Sequence, residues 1–447
     1  MMPKTLRVFL PVLVLLFGSS TKAQILHLDG EEFLVNGINI PWRYFGQDFG
    51  ASYRQLNYDS TFFNRTFEEL QANGVNCIRM WIHCDGRHSP ICGKDGLVRG
   101  LPRHFLDDLD DFFSRAARYN LMVVPVLWTF EMVDEGKIEI IRDPEKTQTY
   151  IDQALLPILE RTRHHCNILA WEVINEPEWA MDIPFAGTTK KLVEAHEMQR
   201  FVGQLAQAIH THSPHMVTVG SAGLRFSTDM HLFSNNYWHD VQLQSQNIHC
   251  SGAYLDFYSV HYYKWKLESL SPFRQPLTDM GLSKPMLLSE FSLDKRRDPE
   301  ELMRLALDNG YAGIMPWSMM ANDGLSRWDD FKNPLRDMSI EHGDKMHVSS
   351  DCLSESLNDY YASCLVYPNP AYDQLTIEHN QSSVSAARVV ITSWDGRQVL
   401  ARSMLDDGPV HFDISALAGG MYIVQVSALG PDGSMRVANR QKFMVAR

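Results

Sequence analysis

The stretch Trp171-Glu172-Val173-Ile174-Asn175-Glu176-Pro177 decides how the chain is read. With Ile168-Leu169-Ala170 before it, it forms a short apolar run of β character. Pro177 closes that run, because proline brings no N–H to a sheet ladder. Asn175 and Glu176 are therefore left at the C-terminal rim of a buried strand. Working outward, seven further runs have the same character: Phe33–Ile40, Val75–Ile82, Leu121–Trp128, Met216–Ala222, Asp256–Tyr262, Pro285–Glu290 and Ala312–Trp317. Helical patterns separate several of them. Ile151, Ala154, Leu155, Ile158 and Leu159 recur at the spacing of one helix face, and Phe62–Asn73 reads as a helix stopped by Gly74. Near-continuous apolar strands alternating with helices imply a parallel sheet buried on both faces. Eight such units predict an α/β fold, the (β/α)8 TIM barrel. A doubly wound open sheet would normally carry a Gly-rich fingerprint after its first strand, and none is present.

The chain has 447 residues, 45% of them apolar, which is enough for a large core plus a smaller domain. Its 41 Lys+Arg against 54 Asp+Glu give a net charge of −13. That balance, without a basic block, argues against a nucleic-acid partner. Residues 1–23 read as a signal peptide: Lys4 and Arg7 precede the apolar run Val8–Gly18, which is too short to span a bilayer. No later stretch is long and apolar enough for a membrane span. Residues 24–346 are expected to form the barrel and the polar stretch 347–366 a linker. Residues 367–447 alternate apolar and polar over Leu375–Ile377, Arg388–Ser393, Met421–Val426 and Lys442–Val445, with turn signals at Asp395-Gly396 and Gly419-Gly420. This pattern predicts a small all-β sandwich. Seven Cys in an exported chain point to disulfides, for which Cys84–Cys92 and Cys352–Cys364 are the expected pairs. No C-x-x-C or H-E-x-x-H spacing appears, so neither a metal nor another cofactor is expected. The chain is expected to act as a monomer.

The chemistry is expected at the strand ends, because the C-terminal face of a (β/α)8 barrel is where its active sites lie. Glu176 ends the fourth strand, and Glu290 ends the seventh in Leu287-Leu288-Ser289-Glu290-Phe291. Strands four and seven face each other across the mouth, so the two carboxylates can converge. Such a pair is the minimal equipment for glycoside hydrolysis. Arg79, near the end of the second strand, is a candidate to hold Glu290 ionised. His261 and Tyr263 lie two apart at the end of the sixth strand, hence on one face. Trp317 ends the eighth as a flat platform for a sugar ring. Trp42, Trp81, Trp128 and Trp171 also fall at or near strand ends, and about half of these five indoles are expected to touch substrate. Trp171 has barrel core as an equal alternative. In the loop from Trp42 to Gly50, Asp48 is a candidate for a sugar hydroxyl, the alternative being an ordinary packed loop.

These residues resemble family 5 glycoside hydrolases and their retaining (β/α)8 clan, over roughly residues 25 to 345. The resemblance implies Glu176 as acid/base, Glu290 as nucleophile and Asn175 as the partner of the sugar 2-hydroxyl. It further implies Arg79 and Tyr263 as the pair orienting the nucleophile, His261 as a sugar or acid/base contact and Trp317 as the floor under the reacting sugar. Many members carry a His at the end of the third strand, where this chain reads Val126-Leu127-Trp128-Thr129-Phe130. The implied activity is a retaining endo-β-1,4-mannanase acting on polysaccharide. A β-glucanase is the enzyme alternative, and a non-catalytic sugar-binding barrel the alternative of another class. The tail resembles the sorting domain of type IX secretion cargo, through Tyr367-Pro368-Asn369-Pro370-Ala371, Trp394-Asp395-Gly396-Arg397, Asp413-Ile414-Ser415, Gly420-Met421-Tyr422 and Lys442-Phe443. It implies the secretion machinery as a partner and a secreted or cell-surface location. A carbohydrate-binding module is its rival.

Overall fold

A computed structural model describes residues 25–447, apart from residues 29, 53–54, 230–233, 248–249, 264–267, 294–297, 321–324, 347–363, 380–386, 394–396, 405–409 and 430–434. The expected signal peptide lies outside the described residues. Eight parallel strands close into a barrel: β1 (Val35–Asn39), β2 (Cys77–Trp81), β3 (Met122–Thr129), β4 (Ala170–Asn175), β5 (Met216–Ser221), β6 (Tyr258–Tyr262), β7 (Met286–Phe291) and β8 (Gly313–Ile314). Each falls within or against one of the eight apolar runs. Every residue of β1, β2, β3, β4 and β7 is buried, as strands covered on both faces must be. β8 is only two residues long, and its register joins Gly313 to Val35 and Ile314 to Asn36.

The helices bury one face each against this sheet. Ser60–Ala72 begins where the Asp59 side chain accepts the Phe62 N–H, and it stops just before Gly74, whose φ of +72° suits glycine. Phe105–Arg118 carries Asp107 and Asp108 in its first turn and Arg115 and Arg118 in its last, each favourable to the helix dipole. The face expected from Ile151 to Leu159 is buried throughout, although its first turn, Ile151–Leu155, is a π-turn. Between β6 and β7 the described residues form only the 3-10 turns Glu268–Leu270 and Leu277–Met280, which accounts for the short spacing of those two strands.

The tail forms β9 (Cys364–Tyr367), β10 (Gln374–His379), β11 (Ala387–Ser393), β12 (Gln398–Met404), β13 (Val410–Asp413), β14 (Gly420–Leu429) and β15 (Met435–Val445). They make a three-stranded sheet, β9-β10-β13, and a four-stranded one, β12-β11-β14-β15. Leu375, Ile377, Val389, Ile391, Val424 and Phe443 share one core. β9, β12 and β13 were not anticipated, and β9 begins inside the stretch expected as linker. Cys84 and Cys92 are free thiols rather than a pair. Cys166 is disulfide-bonded, with its partner outside the described side chains, where the expected Cys352–Cys364 pair also falls.

Candidate active site

Arg79 organises the mouth of the barrel. A guanidinium with no solvent exposure is tolerable only if paired, and this one is saturated. Nε and Nη2 donate to the two oxygens of Glu172 at 2.7 and 2.5 Å. Nη1 donates to Asn39 Oδ1 at 3.0 Å and to Glu290 Oε1 at 2.5 Å, and Nη2 donates also to Asn175 Oδ1 at 2.8 Å. Its carbon Cζ sits 4.2 Å from the centre of the Trp81 ring. Burial alone would lower the Arg79 pKa, and the Glu172 and Glu290 carboxylates more than reverse that, holding it above the ordinary value. Gly220 on β5 makes room for this pair: a Cβ there would stand 2.2 Å from Glu172 Oε1 and 2.9 Å from Arg79 Nη2.

Glu290 is held from a second side by Tyr263, whose hydroxyl donates to Oε2 at 2.7 Å. Burial and then the Glu290 charge push the Tyr263 phenol well above its usual pKa, so it stays a donor. Glu176 sits opposite. Its backbone takes a left-handed conformation, φ +48°, uncommon for a residue with a side chain and typical of sites where strain serves function. Trp179 Nε1 donates to Glu176 Oε2 at 2.8 Å, while His261 Nδ1 lies 2.9 Å from Oε1. The same His261 nitrogen is 3.4 Å from Glu290 Oε2. One ligand-type atom each from Glu176, His261 and Glu290 therefore lies within 4.8 Å of the others. Their side chains are 14%, 0% and 5% exposed, so Glu176 is the most open of the three.

The aromatic wall lies beside this cluster. Trp42 packs edge-on against Trp81 at 5.9 Å and Trp317 at 6.0 Å, and both Trp42 and Trp317 keep part of their surface open. Two expected contacts are placed elsewhere. Trp128 is completely buried, with His83 and Tyr150 each 5.1 Å from its ring, and presents no surface to a ligand. Asp48 is 4% exposed, and its oxygens accept the backbone N–H groups of Arg43 and Tyr44, both at 2.8 Å. It closes its own loop, the alternative weighed for it. Trp171 is barrel core, edge-on to Phe113.

Asn39, Glu172, Trp179 and Glu131 were not anticipated. Glu172 had a signal, since an acid inside a buried apolar strand requires a cation, which Arg79 of β2 supplies. Glu131 follows β3 in the 3-10 turn Phe130–Val133. Its Oε2 is buried without a hydrogen-bond partner, and burial, with the charges of Glu176, Asp85 and Glu290 adding, raises its carboxyl to about 7.

Residues 365–434 match the family model of the secretion system C-terminal sorting domain. The chain is 29% identical over 340 residues to the mannan endo-1,4-beta-mannosidase of Mytilus edulis, covering 69% of this chain and 92% of that protein. With the corresponding enzyme of Cryptopygus antarcticus it shares 26% identity, over 70% of this chain and 87% of the other. The solved beta-1,4-mannanase of the sea hare Aplysia kurodai superposes with a TM-score of 0.66 at 26% identity, covering 74% of this chain and 99% of that one. The barrel of this chain is thus similar to those of mannanases, and its tail to a secretion system C-terminal sorting domain.

Proposed function

We propose that this protein is a secreted, retaining endo-β-1,4-mannanase. The observation that carries the reading is the approach of two carboxyl groups, Glu176 and Glu290, within 4.8 Å and with different supports. Inverting enzymes keep their carboxyls about 6.5–9.5 Å apart to admit a water between them, and retaining enzymes about 5–5.5 Å. The short approach favours double displacement.

Glu290, fixed by Arg79 at Oε1 and by Tyr263 at Oε2, is the nucleophile. It attacks the anomeric carbon as the glycosidic C–O bond breaks, and the Glu176 proton passes to the leaving oxygen. In the second step the Glu176 carboxylate takes a proton from water, whose oxygen displaces Glu290 from the same carbon. Two inversions give net retention. His261 and Trp179 hold the two oxygens of Glu176. Asn175 commits its Oδ1 to Arg79 and keeps its NH2 for a hydroxyl beside the reacting carbon. Trp317, backed by Trp42, supplies the apolar floor for the sugar face. The sorting domain directs the chain to the cell surface or extracellular space, by engaging the secretion machinery. No helix among the described residues is long and apolar enough to cross a membrane.

The test is a screen on mannan, glucomannan, cellulose, β-1,3-glucan and xylan, with proton NMR of the first product. Hydrolysis of mannan with retained configuration is expected. Activity confined to the glucans would reassign the substrate, and inversion would overturn the roles of the two carboxylates.

A further inference from the structure

Glu178 lies two residues beyond Glu176, in the 3-10 turn Pro177–Ala180 that follows β4. Its side chain has no solvent exposure and makes no ion pair among the described residues. Three neutral donors hold it instead. Ser221 Oγ donates to Oε1 at 2.7 Å, Trp238 Nε1 donates to the same oxygen at 2.9 Å, and the Ala222 N–H donates to Oε2 at 2.9 Å. Ser221 ends β5 and Ala222 follows it, so the carboxyl staples the turn after one strand to the end of the next. A carboxyl buried without a cation is costly, and burial raises its pKa against those three donors. An apolar side chain would fill the same space without that cost, so packing alone does not account for Glu178.

The reason lies in what the turn carries. Trp179, the next residue, donates from Nε1 to Glu176 Oε2 at 2.8 Å. The Glu176 N–H donates to the Gly220 carbonyl of β5 at 2.6 Å, and the left-handed φ of Glu176 turns the chain between the two anchors. The N–H groups of Gly187 and Thr188 donate to the Glu178 and Trp179 carbonyls at 3.2 and 2.8 Å and hold the far side of the turn. The acid/base carboxyl therefore sits between a backbone bond to β5 and an indole whose position depends on Glu178. A shift of about 1 Å at a reacting group can cost roughly 10²-fold in rate.

We propose that Glu178 is a positioning residue: through the turn Pro177–Ala180 and Trp179 it aims the Glu176 carboxyl at the glycosidic oxygen. The proposal rests on the functional reading above. It adds to that reading a residue that touches neither the substrate nor the reacting atoms.

The test compares kcat/KM, which reports the first irreversible step, on soluble mannan and on 2,4-dinitrophenyl β-mannobioside, whose leaving group departs without a proton. Glu178→Ala should fall about 100-fold on mannan and stay within about threefold of the parent on the dinitrophenyl substrate. Glu178→Gln keeps the shape but sets an amide NH2 against an N–H donor, so it should show the same divergence. Adding Trp238→Phe removes one of those donors and should restore most of the activity on mannan. An equal fall on both substrates would make Glu178 a structural staple and overturn the proposal. So would a folded Glu178→Ala with the parent's activity on both. Should Glu178→Ala not fold, the same ratio measured on Glu178→Gln decides. A parent inert on both substrates would instead sink the functional reading itself.

Discussion

Two clusters of carboxylates and histidines sit at opposite ends of β4. Asp110, His164 and His165 lie before the strand begins, and Glu176, His261 and Glu290 lie where it and its partners end. The residue types are nearly the same; the charge balance is not. In the first cluster a single carboxylate is met by His165 Nε2 at 2.8 Å and Arg161 at 3.1 Å, and His215 donates to the His165 carbonyl at 2.9 Å. Each contact ties one segment of the scaffold to another. In the second, Glu172 and Glu290 share the single guanidinium of Arg79, while Glu176 is held by His261 and Trp179. Three carboxyl groups with one fixed cation leave an excess of negative charge unless one of them keeps its proton. A structural cluster closes its account, whereas a general acid needs that excess.

Replacing the acid of each cluster would test the contrast most severely. Glu290→Ala should lower kcat on mannan by about 10⁴-fold with the fold intact by circular dichroism, and azide should rescue turnover. Asp110→Ala should leave kcat within about twofold, as expected for a group that touches no substrate. A comparable activity loss in both would erase the distinction. Next in size is Arg79→Met, which strands Glu172 and Glu290 in the interior. It should cost about 3–5 kcal/mol, read from the urea midpoint, and adding Glu172→Gln should recover part of that.

Glu131 sharpens the comparison through pH. Burial raises its carboxyl from 4.5 to about 7, so between those values the folded chain keeps a proton that the unfolded chain has released. The stability it brings is complete below pH 4.5 and is lost as the pH rises through 7. Glu131→Gln should therefore be more stable than the parent at pH 8 by up to about 3 kcal/mol and equal to it at pH 4. Urea unfolding at the two pH values reads this directly, and a pH-independent difference would refute it. Asp110 has the opposite sign. Burial would raise its carboxyl, but the hydrogen bond and charge of His165 carry it below 3.8. Its contribution is present above that value and fades as the pH falls through the lower folded-state value. Asp110→Asn should cost about 1–2 kcal/mol at neutral pH and nothing in strong acid.

The barrel was legible because strands buried on both faces leave uninterrupted apolar runs, and the Pro177 stop marks which end is the rim. Glu176, Glu290, Arg79, Asn175, His261 and Tyr263 were legible as polar residues at those rims, and the structure brings all six together. Trp128 and Asp48 show the boundary of that reading. A tryptophan at a strand end can turn to the sugar or into the layer beneath the helices, and the loop that buries Trp128, through Gly86 and Lys137, leaves no periodic signal. Asp48 carries the composition of a sugar contact, but the turn that consumes its oxygens is a matter of local backbone. Glu178 and Trp179 lie in a short turn where neither period 2 nor period 3.6 applies.

Asn39 binds the closure of the barrel to the chemistry of its mouth. Its amide NH2 donates to the carbonyls of Ser289, Met315 and Pro316, at 2.8, 3.0 and 3.1 Å, across the seam where β8 offers only two ladder residues. Its Oδ1 meanwhile accepts from Arg79. The weakest joint of the ring and the anchor of the nucleophile's cation are thus one side chain. Heating that loosens the seam should disarm the enzyme before the rest of the barrel melts. A graft that lengthens β8 would then be felt first as longer-lived activity, and only afterwards as a higher melting temperature.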